Sequence, residues 1–381
     1  MEYRQYKDTD IKTSLLGMGC MRLPTTGGPG GSIDFEESKN IIEYAYENGV
    51  NYFDSAYVYS GGESERVMGK VLSKYPRDTY MMATKLPNMR CSSRQEVLDV
   101  FNEQLERLGA DYIDFYLCHN LNKGSYAAFT QPHVLDTLLE LKDQGKILRL
   151  GFSSHADPDM LESFLKYYDS WEFAQIQLNY LDWEGSQNAK RQYEILCEYN
   201  TPVMVMEPVR GGRLASVNPE ADKLMKEFAP DRSISSWALR FAASLPNVQV
   251  VLSGMSAMEH VIDNVSTFAP FTPINDDEQK ILDQAVEMLL SQVQVPCTAC
   301  RYCVDDCPAN LDIPELIAIH NEFSISRHFM SMMALRELPE EKRPDKCQAC
   351  GECVARCPQE IEIPKILEEL ADAIRPRQGG R

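Results

Sequence analysis

From residue 14 to about residue 269, short apolar runs alternate with longer stretches in which apolar residues recur every three to four positions. The short runs suit strands covered on both faces and the longer period suits helices laid over them, so the rhythm predicts a parallel sheet covered by helices. Strand candidates fall at 15–19, 51–54, 79–84, 113–118, 147–152, 173–177, 202–206 and 248–252. Helix-period segments lie between them at 36–48, 93–108, 133–144 and 157–168, several opened by a Ser or Asp placed to cap the first turn. This number of units in roughly 250 residues matches a closed (β/α)8 barrel in count and length better than an open doubly wound sheet. No Gly-x-Gly-x-x-Gly follows the first strand, which also counts against a Rossmann domain.

A turn-rich stretch at 270–277 ends this rhythm, and a helix-like segment at 278–292 carries the chain onward to a boundary near Val293. The chain therefore divides into a barrel over 1–275, a helical linker over 276–293 and a smaller domain over 294–381. The last of these contains an internal repeat. Cys297, Cys300, Cys303 and Cys307 with Pro308, and Cys347, Cys350, Cys353 and Cys357 with Pro358, both read C-x2-C-x2-C-x3-C-P. Each is followed by a similar phrase, Leu311-Asp312-Ile313-Pro314 and Ile361-Glu362-Ile363-Pro364. Three closely spaced thiolates can cap three corners of an iron-sulfur cubane, while the fourth points away and ligates the other cluster in two-cluster proteins. The expected sets are Cys297, Cys300, Cys303 and Cys357 for one 4Fe-4S cluster, and Cys347, Cys350, Cys353 and Cys307 for the other. Paired zinc knuckles would explain the C-x2-C spacing but not the Cys-Pro in both copies. The segment between the repeats, 314–338, reads as helical, with the Met-rich phrase 328–333 in a packing role. This tail resembles two-cluster ferredoxin modules, closest to the α-helical ones fused to oxidoreductases.

Charge narrows the partners. A formal net charge of -19 and a pI near 4.8 argue against nucleic acid and against an anionic membrane surface, since both need clustered Lys and Arg. The N-terminus lacks the apolar core of a signal peptide and no later stretch reaches the length of a membrane span, so a cytoplasmic location is expected. Of the 12 cysteines, those outside the repeats carry weaker signals. Cys20, Cys118 and Cys197 lie in or near apolar runs and are expected to be buried, while Cys91, in the loop after Lys85, is a candidate to face the pocket.

Active sites of such barrels lie at the carboxyl ends of the strands. Asp54 ends the second strand candidate, with Tyr59 in the loop behind it, Lys85 follows the third and His119 follows the fourth. Together they suit proton delivery: Lys85, paired with Asp54, lowers the pKa of Tyr59 so that it acts as an acid near neutral pH, and His119 holds the substrate oxygen. The chain over nearly all of residues 1–270 resembles the aldo-keto reductase family. The resemblance rests on Phe53-Asp54-Ser55-Ala56-Tyr57-Val58-Tyr59 with Gly61-Gly62-Glu63-Ser64-Glu65 behind it, on Ala83-Thr84-Lys85, on the run from Asp111 to His119, and on the run from Gly145 to Ser153. The family's iron-sulfur-bearing branch also accounts for the tail.

The resemblance implies that Asp54, Tyr59, Lys85 and His119 reduce an aldehyde or ketone with NADPH or NADH. It also implies that Ser153 and Gln175 hold the carboxamide, with Ser154 where relatives carry Asn. Met206 stands where relatives stack a Tyr, within a phrase whose Pro208, Val209, Gly211 and Gly212 can wrap a pyrophosphate. Gly254, Ser256, His260 and Asn264 open the phosphate-binding helix, with Gly254 and His260 at positions where many relatives carry Lys and Arg. The expected partners are a small carbonyl substrate and a ferredoxin-like or other redox protein. An alternative reading takes the protein as an electron-transfer module whose barrel binds a ligand or partner, since a nicotinamide passes two electrons as hydride and each cluster passes one.

Overall fold

The computed structural model describes residues 1–7, 9–26, 31–185, 188–291, 295, 297, 301, 303–304, 307–326 (side chains to 323), 334–336, 338–357 and 359–374. Val293, Cys300, Pro358 and the Met-rich phrase 328–333 lie outside the described residues. The chain forms two compact units, one of residues 1–216 and 229–279, the other of 217–228 and 280–381. This differs from the division expected above. The helix Pro219–Phe228 leaves the barrel sequence to join the second unit, and the segment read as a linker is a helix, Asp276–Leu290, most of which also lies there. Asn218 Nδ2 donates to the Met288 carbonyl at 3.3 Å within that unit.

In the first unit eight parallel strands close into a barrel. They are β3 (Leu16–Gly19), β4 (Tyr52–Asp54), β5 (Met81–Pro87), β6 (Ile113–Leu121), β7 (Ile147–Ser154), β8 (Phe173–Gln177), β9 (Val203–Met206) and β10 (Val248–Ser253). Their order is β10-β3-β4-β5-β6-β7-β8-β9, so the last strand pairs with the first. Every predicted strand is present, because a strand buried on both faces shows in sequence as an unbroken apolar run. Helices cover the outside, and their starts follow from local chemistry. Asp34, Ser93 and Asp157 each accept from the backbone N–H three residues on, capping Phe35–Glu47, Arg94–Leu108 and Pro158–Tyr167.

A short hairpin of β1 (Tyr3–Gln5) and β2 (Lys12–Ser14), unforeseen in the sequence, closes the amino-terminal end of the barrel. Tyr6 is buried there, packs edge-on against Phe115 at 5.5 Å, and donates its hydroxyl to the Glu172 carbonyl at 2.7 Å. Tyr52, Phe115 and Phe173 continue that core inward. The carboxyl ends of the strands lie at the opposite end of the barrel from this plug. Among the described residues no helix is long and apolar enough to cross a membrane.

The second unit is mainly helical. Ile313, Leu316 and Ile317 of the helix Ile313–Ser326 share a core with Ile363, Leu367 and Leu370 of the helix Ile363–Ile374, and Cys303 and Cys353 are buried in the same core.

Candidate functional site

The ends of β4, β5 and β6 bring the four polar residues together. Lys85, fully buried, donates from Nζ to Asp54 Oδ1 at 2.6 Å and to the Ser55 carbonyl. Its nitrogen stands 4.9 Å from the Tyr59 ring centroid. The His119 ring meets the Tyr59 ring edge-on at 5.7 Å. Tyr59 keeps partial exposure at the mouth, in a single turn (Tyr59–Gly62) held by left-handed backbone at Ser60, Gly61 and Gly62.

Electrostatics departs from the sequence expectation in one respect. Burial pushes the Tyr59 phenol above its ordinary range, and Lys85 pulls it only part of the way back. The phenol is thus held protonated through neutral pH rather than brought down to it. For Lys85, burial disfavours the ammonium but Asp54 and Tyr59 outweigh it, so the pKa is raised and the charge persists. Burial, then the nearby Lys85 and His155, hold His119 well below the usual imidazole range, which leaves it neutral at physiological pH.

The next four strand ends carry the expected cofactor residues. Ser153 sits beside Gln175 across the β7–β8 ladder, and its Oγ accepts from Asn120 N at 2.8 Å, linking it to the turn that bears His119. Ser154 is buried and its Oγ accepts from Ala156 N at 3.1 Å. Gln175 Nε2 lies 3.7 Å from Met206 Sδ, and its Oε1 is buried without a hydrogen-bond partner. A buried amide oxygen left unpaired fits a group that donates N–H, as a carboxamide does. Pro208 is buried and Val209 partly so, while Gly211 and Gly212 are exposed in left-handed backbone. Asn264 Nδ2 donates to Ser253 Oγ at 2.9 Å, and Ser256 and His260 are exposed, Oγ to Nδ1 at 3.5 Å. Gly254 lies open beside the Arg22 side chain.

Sequence reasoning missed several residues here. Arg22, just beyond β3, pairs with Glu207, just beyond β9, at 3.5 Å. Buried Asp182 accepts from Arg210 Nε at 3.1 Å, Gln177 at 2.8 Å and Asn179 at 2.7 Å, anchoring the loop after β9 from below. A strand-end position was the available signal for Arg22; the Asp182 cluster has none, since its members alternate with apolar neighbours. Cys20 and Cys118 are buried as expected, whereas Cys197 is exposed near the end of the helix Ala189–Glu198. Cys91 is buried against the Pro87 carbonyl, and burial pushes its thiol up to about 12, so it is no pocket nucleophile.

In the second unit two apolar cavities are lined by the motif cysteines. Cys307 lines one of them with Cys347, Cys350 and Cys353. Cys297 and Cys303 line the other with Cys357. The fourth Cys of each repeat thus faces the other repeat's cavity. The Ile-Pro phrases cross in the same way: Ile313 and Pro364 line the first cavity, Pro314 and Ile363 the second. Sulfur donors around an apolar hollow suit iron-sulfur clusters, which thiolates hold.

Residues 15–287 match the model of the aldo/keto reductase family, a span that includes every barrel strand. The chain belongs to the aldo/keto reductase family. It is an oxidoreductase, and residues 296–362 match a 4Fe-4S dicluster domain. Among curated relatives, L-galactose dehydrogenase of Arabidopsis thaliana is 24% identical over 77% of this chain and 96% of its own length. NADH-specific methylglyoxal reductase of Escherichia coli is 26% identical over 68% of this chain and 90% of its own. The holo form of an aldo-keto reductase from Bacillus halodurans superposes with a TM-score of 0.62 at 27% identity, covering 75% of this chain and 96% of that one.

Proposed function

We propose that the barrel reduces a small aldehyde or ketone with NADPH or NADH, and that the second unit holds two 4Fe-4S clusters that couple to or regulate the reaction. The observation that carries the reading is the Lys85 ammonium, bonded to Asp54 at 2.6 Å and standing 4.9 Å from the centre of the Tyr59 ring at the carboxyl ends of the barrel strands. Gln175 and Ser153 would hold the carboxamide of the dinucleotide, and Gly211 and Gly212 would let its pyrophosphate approach the backbone. When bound, the nicotinamide supplies the hydride. Tyr59 keeps its proton at neutral pH and delivers it to the carbonyl oxygen, while Lys85 stabilises the phenolate left behind. His119, neutral, directs a ring N–H at the same oxygen and fixes the carbonyl between itself and Tyr59. Asp54 fixes Lys85.

Two four-cysteine sets would hold the clusters: Cys297, Cys300, Cys303 and Cys357, and Cys347, Cys350, Cys353 and Cys307. Such clusters pass single electrons, which suits docking of a ferredoxin-like redox partner, and a reduced cytoplasm keeps the thiols available to iron.

NAD(P)H consumption by anaerobically purified protein against a panel of aldehydes and ketones tests the reading. Tyr59→Phe, which removes only the proton donor, is expected to lower turnover by about 10²–10⁴-fold. Absence of turnover in the wild type, or an equal rate in the variant, overturns it. One observation favours a second reading, an electron-transfer module whose barrel binds a ligand or partner: Met206 replaces the ring that would stack on a nicotinamide. Under that reading the clusters titrate with reductant while no carbonyl is reduced.

A further inference from the structure

Behind the proton-delivery residues lies a buried polar cluster that the proposed chemistry does not use. Gln104, on the helix Arg94–Leu108, is fully buried and every polar atom of its side-chain amide is engaged. Nε2 donates to the Lys85 carbonyl at 3.0 Å, to Glu65 Oε1 at 2.9 Å and to Thr84 Oγ1 at 3.0 Å, and Oε1 accepts from the Tyr116 hydroxyl at 2.7 Å. One turn below on the same helix, Arg107 Nη1 donates to the Tyr57 carbonyl at 3.0 Å and to Glu65 Oε2 at 2.9 Å, and Nη2 to Glu103 Oε1 at 2.7 Å. Glu103 Oε2 in turn accepts from the Tyr57 hydroxyl at 2.8 Å.

These bonds converge on two backbone points. One is the peptide of Lys85 itself. The other is Tyr57, two residues before Tyr59 and on the same loop. Gly62 shows how closely the guanidinium is fitted, since a Cβ there would come within 2.5 Å of Arg107 Cζ, and its backbone is left-handed at φ +93°. A fold that only needed to pack helix against barrel would fill this space with apolar side chains, because a buried polar cluster gains no stability over a well-packed apolar one.

We infer that Gln104 and Arg107 are positioning residues, a bracket on one helix that sets the Lys85 ammonium and the Tyr59 phenol against each other. Neither touches the reacting atoms. They act by fixing the strand end that carries Lys85 and the loop that carries Tyr59 to one rigid element, the arrangement that precise donor geometry requires. The inference rests on the proposed function for its catalytic meaning, but the geometry it predicts is measurable without turnover.

The test uses the full-length, anaerobically purified protein with ring-labelled tyrosine, the Tyr59 signal being assigned by its absence in Tyr59→Phe. Two variants loosen the bracket: Gln104→Met, and the milder Tyr116→Phe, which removes only the hydroxyl that orients Gln104. In both, weaker contact with Lys85 is expected to move the Tyr59 titration upward and to displace the pH profile of kcat in the same direction. The expected fall in kcat is about tenfold or more in Gln104→Met, with NADPH affinity, read by fluorescence titration, within about twofold of wild type. Arg107→Lys, which keeps the charge, is expected to retain more activity than Arg107→Met. A Tyr59 titration and kcat profile unchanged in a folded Tyr116→Phe and Gln104→Met overturns the inference, whatever the melting temperature does. If the Tyr59 titration moves but the wild type reduces no carbonyl, the bracket stands and the carbonyl reductase reading falls. Should Gln104→Met fail to fold, Tyr116→Phe alone decides.

Discussion

His119 shows how placement at a strand end sets chemistry. Its imidazole is partly buried near the Lys85 ammonium and stays uncharged, whereas an unfolded histidine takes up a proton near pH 6.5. The unfolded state therefore binds more protons as pH falls below that value, and folding stability drops with it until the depressed native pKa is reached. A melting-temperature series from about pH 7 to about pH 5 is expected to fall more steeply for wild type than for His119→Gln, in which this group no longer titrates; equal slopes would count against a neutral His119. At this scale the sequence disclosed residues whose role follows from position. Asp54, Lys85 and His119 each sit where a strand ends, and a polar residue there is conspicuous after an apolar run. Glu65, Gln104 and Arg107 were opaque, because their partnership spans several elements and no local spacing announces it. The net upward shift of Tyr59 was opaque as well, since it depends on how deeply the phenol is buried.

Among the elements, the eight barrel strands were legible and the β1–β2 hairpin was not. The barrel strands, even three-residue β4, are mostly buried and show as apolar runs, while the hairpin strands are three residues each with mixed exposure, too short for alternation to be read. The hairpin nonetheless carries weight, because Arg4 donates to the carbonyls of Ala243, Leu245 and Val248 and Tyr6 fills the barrel floor. Removing the Tyr6 side chain leaves a cavity under Phe115. In urea unfolding, Tyr6→Ala is expected to cost about 3–5 kcal/mol, and Tyr6→Phe, which loses only the bond to Glu172, about 1 kcal/mol. Equal effects would mean that the hydroxyl, not the ring, secures the plug.

For the molecule as a whole, the sequence located the cysteine repeats, while the grouping of residues 217–228 with the second unit was not legible, because their partners lie far along the chain. Spacing exposes a repeat; only tertiary contact exposes an excursion of that kind. The crossed cysteine sets predict an asymmetric defect. Cys307→Ser, although in the first repeat, is expected to weaken the centre built on Cys347, Cys350 and Cys353 and to lower bound iron from about eight toward about four atoms per chain. Iron analysis and electron paramagnetic resonance of the reduced protein check this, and loss of the signal from the first-repeat centre instead would show that the sets are not crossed. The same crossing bears on how the protein is made. Cys357 lines a cavity with Cys297 and Cys303, and Cys353 lines the one that contains Cys307, so neither ring of sulfurs can close before the ribosome has passed Cys353. All eight barrel strands precede that point by about a hundred residues, so the barrel is free to fold before either ring of sulfurs is complete.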